Sequence, residues 1–327
     1  MSYNRKTNHS PIQGVELKGG THHLNPYFIT GFSDAECSFL SLVIKRPESR
    51  TGWRIVCRYQ IGIHVKDLAL LESIQSYFCG IGHIVKQGDG LFSYQVSSPK
   101  HISEIIIPHF EKYPLITKKK EDFILFKEVI DMVKNGEHLN PEGLQKIVNI
   151  RASINLGLSD KLKEAFPETV PVKRPRVNFS ENIHPHWIAG FASGDGCFTV
   201  HVRKSSASKL GFSVALSFQL DQHTRDKEFM SYLVKYFNCG NVSNNGSCIK
   251  FTVSNLSDII SIMIPFFEKY PIQGVKALDF SAFCEISKLM KQKEHLNIEG
   301  FNRILKIRSS MNKNRVQGRN SEEDSSK

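Results

Sequence analysis

The sequence predicts an α+β protein with two pseudo-symmetric αββαββα repeats, each containing a four-stranded antiparallel sheet. Three observations support this class. The chain repeats one ordered set of segments, each set alternates between helical and strand periodicity, and a proline-rich stretch separates the sets. The 327 residues suffice for two domains of ordinary size, and 40% hydrophobic content is enough for packed cores, which excludes disorder throughout.

The repeat is visible when the chain is compared with itself. Segment 28–39 matches 187–198 at a shift of 159 positions. Further along the shift becomes 157, where 108–114 matches 265–271 and Glu-His-Leu-Asn at 137 recurs at 294. Ordered matches over such a distance do not arise by chance, so the protein is two copies of one domain.

Domain boundaries follow from this alignment. The copies occupy 24–155 and 184–312, with a linker over 156–183, and the polar ends at 1–23 and 313–327 are predicted to be flexible. Within the linker, 159–166 is typical of a short helix. The rest is rich in proline and basic residues and offers little to bury.

The first copy begins with a helix at Asn25-Pro26, because Asn is a good cap and Pro suits the first helical position. Two strands follow, over 38–46 and 54–64. Residues of the second strand alternate between an apolar face and a polar, basic face. Each sheet should therefore pack one face under helices and leave the other open.

The second half of the copy continues the alternation. A helix over 67–78 precedes a hairpin with strands at 82–87 and 91–97, joined by Gly-Asp-Gly, a strong turn signal. The remaining elements are predicted helices over 100–112, 120–135 and 141–155. The second copy is expected to repeat this order.

Composition narrows the function classes. Lys and Arg number 43 against 32 Asp and Glu, a formal net charge of +11, which favours a polyanionic partner such as nucleic acid. The seven cysteines are odd in number and never spaced C-x-x-C, which argues against a disulfide framework or a structural zinc site and favours a reducing compartment. No apolar run approaches the roughly 20 residues of a membrane span, and no secretory leader pattern opens the sequence.

The helix that opens each copy has small residues at matching positions. Thr30 and Gly31 correspond to Ala189 and Gly190. Small residues let two helix backbones approach closely. We therefore expect these four residues to form a domain interface in which the two helices pair about a pseudo-twofold axis.

Each of these helices ends in an acid, Glu36 or Asp195. A carboxylate at a helix C-terminus is unfavourable by about 0.3–1 kcal/mol, and two neighbouring carboxylates repel each other. A bound divalent cation would offset both costs, and Mg²⁺ suits such oxygen ligands. Paired carboxylates with Mg²⁺ beside a basic sheet suggest phosphodiester hydrolysis.

Segments 29–37 (Ile-Thr-Gly-Phe-Ser-Asp-Ala-Glu-Cys) and 188–196 (Ile-Ala-Gly-Phe-Ala-Ser-Gly-Asp-Gly) resemble the two motifs of a single-chain LAGLIDADG homing endonuclease of the fungal mitochondrial intron-encoded type. The resemblance covers roughly 24–312 and includes the repeated Phe-Glu-Lys-Tyr-Pro segment. It implies a monomer whose two sheets form a saddle over double-stranded DNA. It also implies cleavage of both strands with short 3′ overhangs, about two or three Mg²⁺ ions as cofactors, and a mitochondrial location.

The same resemblance assigns roles to individual residues. Glu36 and Asp195 would be the metal-binding acids, with the backbone carbonyls of Cys37 and Gly196 near the metals. Lys119 and Lys276 would approach the catalytic water network. Gln222 would be a further active-site group, with Ile63 at the equivalent first-copy position. Because the two acids differ by one methylene, the metal sites cannot be identical, and unequal nicking of the two strands is expected.

Residues that would read DNA occupy alternate strand positions, since successive side chains face opposite sides. In the first copy they are Ser38, Leu40, Leu42, Ile44, Arg46, Arg54, Arg58, Gln60, His83, Val85, Gln87, Ser93 and Gln95. In the second they are Cys197, Thr199, His201, Arg203, Ser213, Ala215, Ser217, Gln219, Lys250 and Thr252. This mixture suits base edges, and strand lengths give a site of about 20 base pairs. Because the copies differ, the target need not be palindromic.

Several alternatives stay open at this point. The two acids could be ordinary helix-end residues facing solvent, and Lys119 could belong to a solvated charge run over 118–120. The protein could also be a maturase that binds intron RNA, with basic residues 173–176 as contacts, or a cleavage-deficient DNA-binding protein of the same fold. The repeated histidines His64 and His223 are expected to be structural.

Overall fold

The computed structural model describes residues 24–312, which form the two repeats expected from the sequence. The segments predicted to be flexible, 1–23 and 313–327, lie outside the described residues. Within 24–312, no helix has both the length and the apolar character needed to cross a membrane.

The first repeat follows the predicted order closely. Its elements are α1 (Pro26–Glu36), β1 (Cys37–Lys45), β2 (Trp53–His64), α2 (Leu68–Tyr77), β3 (His83–Gly88), β4 (Leu91–Val96), α3 (Pro99–His101), α4 (Ile107–Lys112), α5 (Lys119–Lys134) and α6 (Pro141–Arg151). As predicted, Asn25 caps α1, its side chain accepting a hydrogen bond from the backbone N–H of Tyr27.

The second repeat has the same order after a short linker helix, α7. Its elements are α7 (Asp160–Ala165), α8 (Pro185–Asp195), β5 (Gly196–Lys204), β6 (Phe212–His223), α9 (Lys227–Phe237), β7 (Asn241–Asn245), β8 (Cys248–Val253), α10 (Leu256–Asp258), α11 (Ile264–Lys269), α12 (Lys276–Lys291) and α13 (Ile298–Ser309).

The helix predicted over 100–112 is widened in its middle, and so is its counterpart in the second repeat. A wide turn over Ile102–Ile106 joins α3 to α4, and Ile107 donates its N–H to the carbonyl of Ile102 five residues earlier. Pro108 explains the widening, because proline lacks an N–H and its ring crowds the carbonyl of the preceding turn. The second repeat has the same wide turn over Ile259–Met263 before Pro265.

Both sheets are four-stranded and antiparallel, with strand orders β1-β2-β4-β3 and β5-β6-β8-β7. One face of each sheet packs under helices around aromatic residues at equivalent positions. Phe39 lies 5.5 Å from Phe110 between ring centroids, and Phe198 lies 5.6 Å from Phe267. The other face is open, so the predicted saddle of two sheets is confirmed.

The repeats meet along α1 and α8, which cross at their glycines. A Cβ on Gly31 would lie 1.9 Å from the Trp187 carbonyl oxygen, and a Cβ on Gly190 would lie 2.1 Å from the Phe28 carbonyl oxygen. Only glycine permits this contact, and it occurs in both directions. The expected close pairing of the two helices is therefore present in the structure.

Ala189 and Thr30, the other two small residues expected at this interface, have different contacts. Ala189 is buried and joins the first repeat's hydrophobic core, so it does cross the interface. Thr30 instead faces its own repeat, where its hydroxyl donates to the carbonyl of Tyr113 at 2.9 Å and contacts His109 Nε2 at 3.1 Å. The hydroxyl of Thr30 is therefore satisfied within the first repeat, and the assignment of Thr30 to the helix interface as a small residue stays a prediction.

A few residues of the linker pack against the repeats. Phe166 and Val172 contact the first core, and Ile183 is buried in the second. Arg174 lies 3.1 Å from Glu121 and 2.9 Å from Asp122 in ion pairs. After the short helix most linker residues are exposed, as expected, and the exceptions are Ile183 and a few partly buried residues such as Val172, which contact the repeats.

Candidate active site and DNA-facing surface

Glu36 and Asp195 are the last residues of α1 and α8, so they lie where the paired helices end. A Cβ on Gly194 would lie 2.4 Å from Ala35 Cβ and 3.3 Å from Glu36 Oε1, which places the two last turns in contact. Burial raises the pKa of Glu36, and the neighbouring Asp195 raises it further. Burial also raises the pKa of Asp195. Both acids are only partly exposed and lie in touching helix turns, which disfavours the alternative of two independent, solvent-facing helix-end acids.

A lysine approaches each acid from the same repeat. Lys119 Nζ donates to the carbonyls of Ser33 at 3.1 Å and Ala35 at 3.3 Å, and Lys276 Nζ donates to the equivalent carbonyl of Gly194. Cations at helix C-termini are favourable. Both lysines oppose the effect of burial by lowering the pKa of each acid. Burial lowers the pKa of Lys276.

The three consecutive lysines at 118–120 have different surroundings. Lys118 donates to the carbonyl of Val177 at 3.2 Å, whereas Lys119 reaches the end of α1. All three side chains are partly buried. They do not form a uniform solvated charge run.

Gln222 distinguishes the two acids. Its Nε2 donates to Asp195 Oδ2 at 2.5 Å and lowers the pKa of that carboxyl. The equivalent residue Ile63 is buried and offers Glu36 no such donor. The two carboxylates therefore lie in unequal environments, as the one-sided pattern in the sequence predicts.

Cys37 and Gly196 begin the strands that follow the acids, and both are buried. Burial raises the pKa of the Cys37 thiol to about 12, so the thiol stays neutral and is a weak ligand. Gly196 has no side chain. Any contribution of these residues to a metal site would therefore come from their carbonyl oxygens.

The donor set fits a cation shared with a phosphate. Within residues 24–312, no three His, Cys, Asp or Glu side chains converge on one point as a metal site would require. Two partly buried carboxylates whose pKa values are both raised by burial, with Asp195 raising that of Glu36 further, favour a bound cation. Mg²⁺ commonly binds through one or two carboxylates plus phosphate oxygens and water. The site fits this open type of coordination and not a closed protein cage.

The predicted DNA-reading residues lie on the open faces of the sheets. In β1, Ser38, Leu40 and Leu42 are partly exposed while the alternate residues are buried. In β5, Thr199 and His201 follow the same alternation. Most other members are placed on the same faces by the strand register, which pairs Gln60 with Gln95 in the first sheet and Gln219 with Thr252 in the second. The register does not place Arg46, which follows the end of β1, or Gln87, which lies at a register shift in β3.

Two predicted contact residues do not fit a direct role. Ser93 is 0% exposed and Ser217 is 2% exposed, although both lie on the correct face. Ser93 accepts a hydrogen bond from Gln95 Nε2 at 3.2 Å, and Ser217 accepts one from Gln219 Nε2 at 3.0 Å. Longer neighbours cover these short hydroxyls at the centre of each sheet. They orient the glutamines and are not themselves accessible to bases.

Sequence reasoning missed several open-face residues. Val56 lies between Arg54 and Arg58 in β2, and Asp221 forms an ion pair with Lys250 at 3.3 Å. Asn241 and Ser243 lie on β7 opposite Thr252 and Lys250. The polar composition of 241–245 is typical of a loop and does not indicate a strand. The one feature that indicates a strand is its position before Gly246, which forms the turn of the hairpin.

Two further aspartates lie at the junction of the repeats. Asp67 Oδ1 accepts a hydrogen bond from Val275 N at 2.6 Å, and Asp226 Oδ1 accepts one from Lys118 N at 2.7 Å. The self-comparison of the sequence matches Asp67 with Asp226, so the repeat carried a signal for them. The histidines that precede them, His64 and His223, accept backbone N–H groups as local caps, which agrees with their expected structural role.

Comparisons with known proteins agree with this geometry. The LAGLIDADG endonuclease family profile matches residues 29–130 and 188–287. A probable intron-encoded endonuclease 2 of Neurospora crassa is 41% identical over 301 residues, a match that covers 88% of this chain and 65% of the relative. The chain thus spans slightly less than two thirds of that protein's length.

Solved structures give similar matches. The homing endonuclease I-SmaMI bound to cleaved DNA has 44% identity and a TM-score of 0.88, covering 89% of this chain and 98% of that chain. The same enzyme bound to uncleaved DNA in the presence of calcium ions has a TM-score of 0.87 at 44% identity, covering 89% and 99%. The match to the family profile extends over both repeats, so this chain belongs to the LAGLIDADG endonuclease family.

Proposed function

We propose that the protein is a monomeric, Mg²⁺-dependent, site-specific DNA endonuclease that makes double-strand breaks in a long, non-palindromic target. One observation carries the proposal. Glu36 and Asp195 converge where α1 and α8 end, and a lysine binds the carbonyl that precedes each acid. The cleaved and uncleaved DNA held by I-SmaMI supports duplex DNA as the substrate.

Glu36 and Asp195 would hold the cations, with the carbonyls of Cys37 and Gly196 nearby. Divalent cations, when bound, polarise a scissile phosphate and lower the pKa of an attacking water. Gln222 holds the Asp195 carboxylate in one orientation, a constraint that Glu36 lacks. This difference supports unequal rates for the two strands.

The lysines would supply positive charge and N–H donors to the phosphate or its water. An ammonium group has three donors. Lys119 uses two of them on the carbonyls of Ser33 and Ala35, so a third donor is available within the site. Neutralising developing charge on a pentavalent phosphorus is a typical role for such a group.

The two open faces support recognition of a long duplex. The pairs β1–β2 and β5–β6 each extend over nine residues, so the two sheets together cover about 20 base pairs. One chain contains both faces, so symmetry does not force a palindromic target. Short 3′ overhangs and a mitochondrial location remain part of the proposal and are supported by the family and by a fungal relative named as intron-encoded.

An RNA maturase is less well supported. The predicted RNA contacts lie in the basic linker, where Arg174 is committed to Glu121 and Asp122. The paired acids with their lysines have no use in RNA binding alone. A cleavage-deficient DNA-binding protein is disfavoured for the same reason.

The test is cleavage of a randomised duplex library with Mg²⁺, comparing wild type with Glu36→Gln and Asp195→Asn. We expect only wild type to produce double-strand breaks at one enriched sequence, while both variants bind that sequence with similar affinity. Glu72→Gln, which changes an exposed acid on α2, is the matched control and should cleave normally. Full cleavage by either active-site variant, or cleavage by wild type in EDTA, would contradict the proposal.

A further inference from the structure

Each repeat reaches across the interface to the helix that carries the other repeat's lysine. Asp67, in the first repeat, accepts the N–H of Val275, the residue immediately before Lys276 and α12. Asp226, in the second, accepts the N–H of Lys118, the residue immediately before Lys119 and α5. The two contacts are equivalent under the repeat, so the arrangement is reciprocal.

The aspartates do not cap their own helices. Asp67 and Asp226 stand at the N-cap positions of α2 and α9, where a side chain would normally accept a nearby backbone N–H. Neither makes that hydrogen bond. Both carboxylates are used instead on the opposite repeat, which indicates a function beyond local helix capping.

A carboxylate at these positions has a physical reason. The first N–H groups of a helix lack intrahelical acceptors and carry partial positive charge. α5 begins with Lys119 and Lys120, whose charges are unfavourable at this end, and neither α5 nor α12 has a side-chain cap at its N-cap residue. An aspartate from the opposite repeat accepts the N–H of the residue that precedes each helix and so fixes where the first helical residue, the lysine, begins.

The second repeat depends more strongly on this contact. Gly274 precedes Val275 with φ +73°, and a Cβ there would lie 2.3 Å from Asp67 Oδ1, so glycine is required for the approach. The equivalent first-repeat residue is Thr117, whose Oγ1 accepts from Lys119 N at 3.2 Å and donates to Asp34. Thr117 therefore contacts the first turn of α5 directly, whereas Gly274 has no side chain to do so and the second repeat is held one residue earlier, where Gln273 N donates to Ser193 Oγ at 3.0 Å.

We propose that Asp67 and Asp226 are positioning residues that act crosswise, Asp67 setting Lys276 and Asp226 setting Lys119. Each half of the active site is then completed by the opposite repeat. Asp67 also lies within electrostatic reach of Lys276, whose pKa it raises. This inference rests on the proposed nuclease function.

The experiment measures single-turnover cleavage at saturating enzyme, together with DNA affinity and thermal stability. Asp67→Ala should lower the cleavage rate about tenfold or more with the Kd for DNA unchanged, because small displacements of reacting groups are costly. Asp67→Asn keeps the acceptor oxygen and should stay within about twofold of wild type. Asp226→Ala should have the smaller effect, because Thr117 still supports α5.

Asn297→Ala is the control, because Asn297 Oδ1 also accepts a backbone N–H at a helix start, that of Gly300 at 2.8 Å, but caps its own helix α13, which carries neither lysine. It should lower thermal stability about as much as Asp67→Ala and leave the rate unchanged. A crystal structure of Asp67→Ala should show Lys276 Nζ displaced from the Gly194 carbonyl.

Wild-type rates in Asp67→Ala, an unmoved Lys276, or an equal rate loss in Asn297→Ala would overturn the inference. If wild type itself does not cleave, the proposed function fails first, and the displacement of Lys276 in the crystal structure still decides the positioning role.

Discussion

His109 shows how one residue can make the two similar repeats respond differently to pH. It is buried, and the equivalent residue of the second repeat is Phe266. Its Nδ1 contacts Tyr77 Oη at 3.0 Å and its Nε2 contacts Thr30 Oγ1 at 3.1 Å. Because the Thr30 hydroxyl donates to the carbonyl of Tyr113, Nε2 carries the proton and Nδ1 accepts from tyrosine.

Burial lowers the pKa of His109 to about 3. Below pH 6.5 this histidine is protonated in the unfolded chain but stays neutral in the folded protein. The free energy of unfolding therefore falls as the pH falls. From pH 6.5 to 5 this group should cost about 2 kcal/mol. His109→Phe should therefore flatten the dependence of the free energy of unfolding on pH, measured by urea denaturation between pH 5 and 7.5. Parallel curves for the two proteins would contradict this assignment.

The same scale shows what the sequence can and cannot predict about the site. The repeat and the motif resemblance predict Glu36, Asp195 and Lys276, because these positions are defined along the chain. Burial of Ser93 and Ser217 was not predictable, since it depends on long side chains of neighbouring residues folding over them. The alternation of residues along a strand predicts which face of the sheet a side chain lies on, but it does not predict how exposed that side chain is.

At the scale of elements, the α1–α8 pair holds the active site together. The reciprocal glycine contacts bring the helix backbones within van der Waals distance, so the acids at their ends meet. Asp34 reinforces the pair by accepting hydrogen bonds from Thr117 Oγ1 at 2.6 Å and from Trp187 Nε1 at 2.9 Å. Burial raises the pKa of Asp34 to about 6.

Gly31→Ala should separate these helices. The new Cβ would meet the backbone carbonyl of Trp187, which cannot rotate away, so we expect a loss of about 3 kcal/mol or more in the free energy of unfolding. Surviving folded protein should cleave DNA poorly because the acids move apart. Gly62→Ala is the control, since its Cβ meets nothing within 4 Å, and it should leave stability unchanged or raise it by up to about 1 kcal/mol. Equal stability of the two variants in chemical denaturation would show that α1 and α8 do not need this contact.

Helices and strands with strong periodicity were predicted within a few residues, whereas segments without it were not. The four-stranded sheets and α1 follow from alternation and from the Asn-Pro start. The linker was expected to bury little, yet Phe166, Val172 and Ile183 pack against the two cores. Single apolar residues among prolines give no pattern, and only the folded surfaces show where they bind.

For the whole molecule, the two saddle halves differ in chemistry while sharing one backbone plan. Leu40, Leu42, Ile44 and Val56 form an apolar stripe on the first open face. The equivalent residues of the second face are Thr199, His201, Arg203 and Ala215. An apolar stripe suits thymine methyl groups, whereas hydroxyl, imidazole and guanidinium groups suit polar base edges. The target should therefore have chemically unlike halves.

Replacing thymine by uracil in the selected target tests this directly, because it removes only the methyl group. Beneath the first repeat each replacement should cost up to about 0.8 kcal/mol of binding free energy, the value of one buried methylene-sized group. Beneath the second repeat the cost should be smaller, because only the methyl groups of Thr199 and Ala215 replace the apolar stripe there. Leu42→Ser should abolish the uracil effect at one base pair and so identify which half-site the first repeat covers. Equal losses in both halves, or a first-repeat half-site without thymine, would show that the apolar stripe does not read thymine methyls.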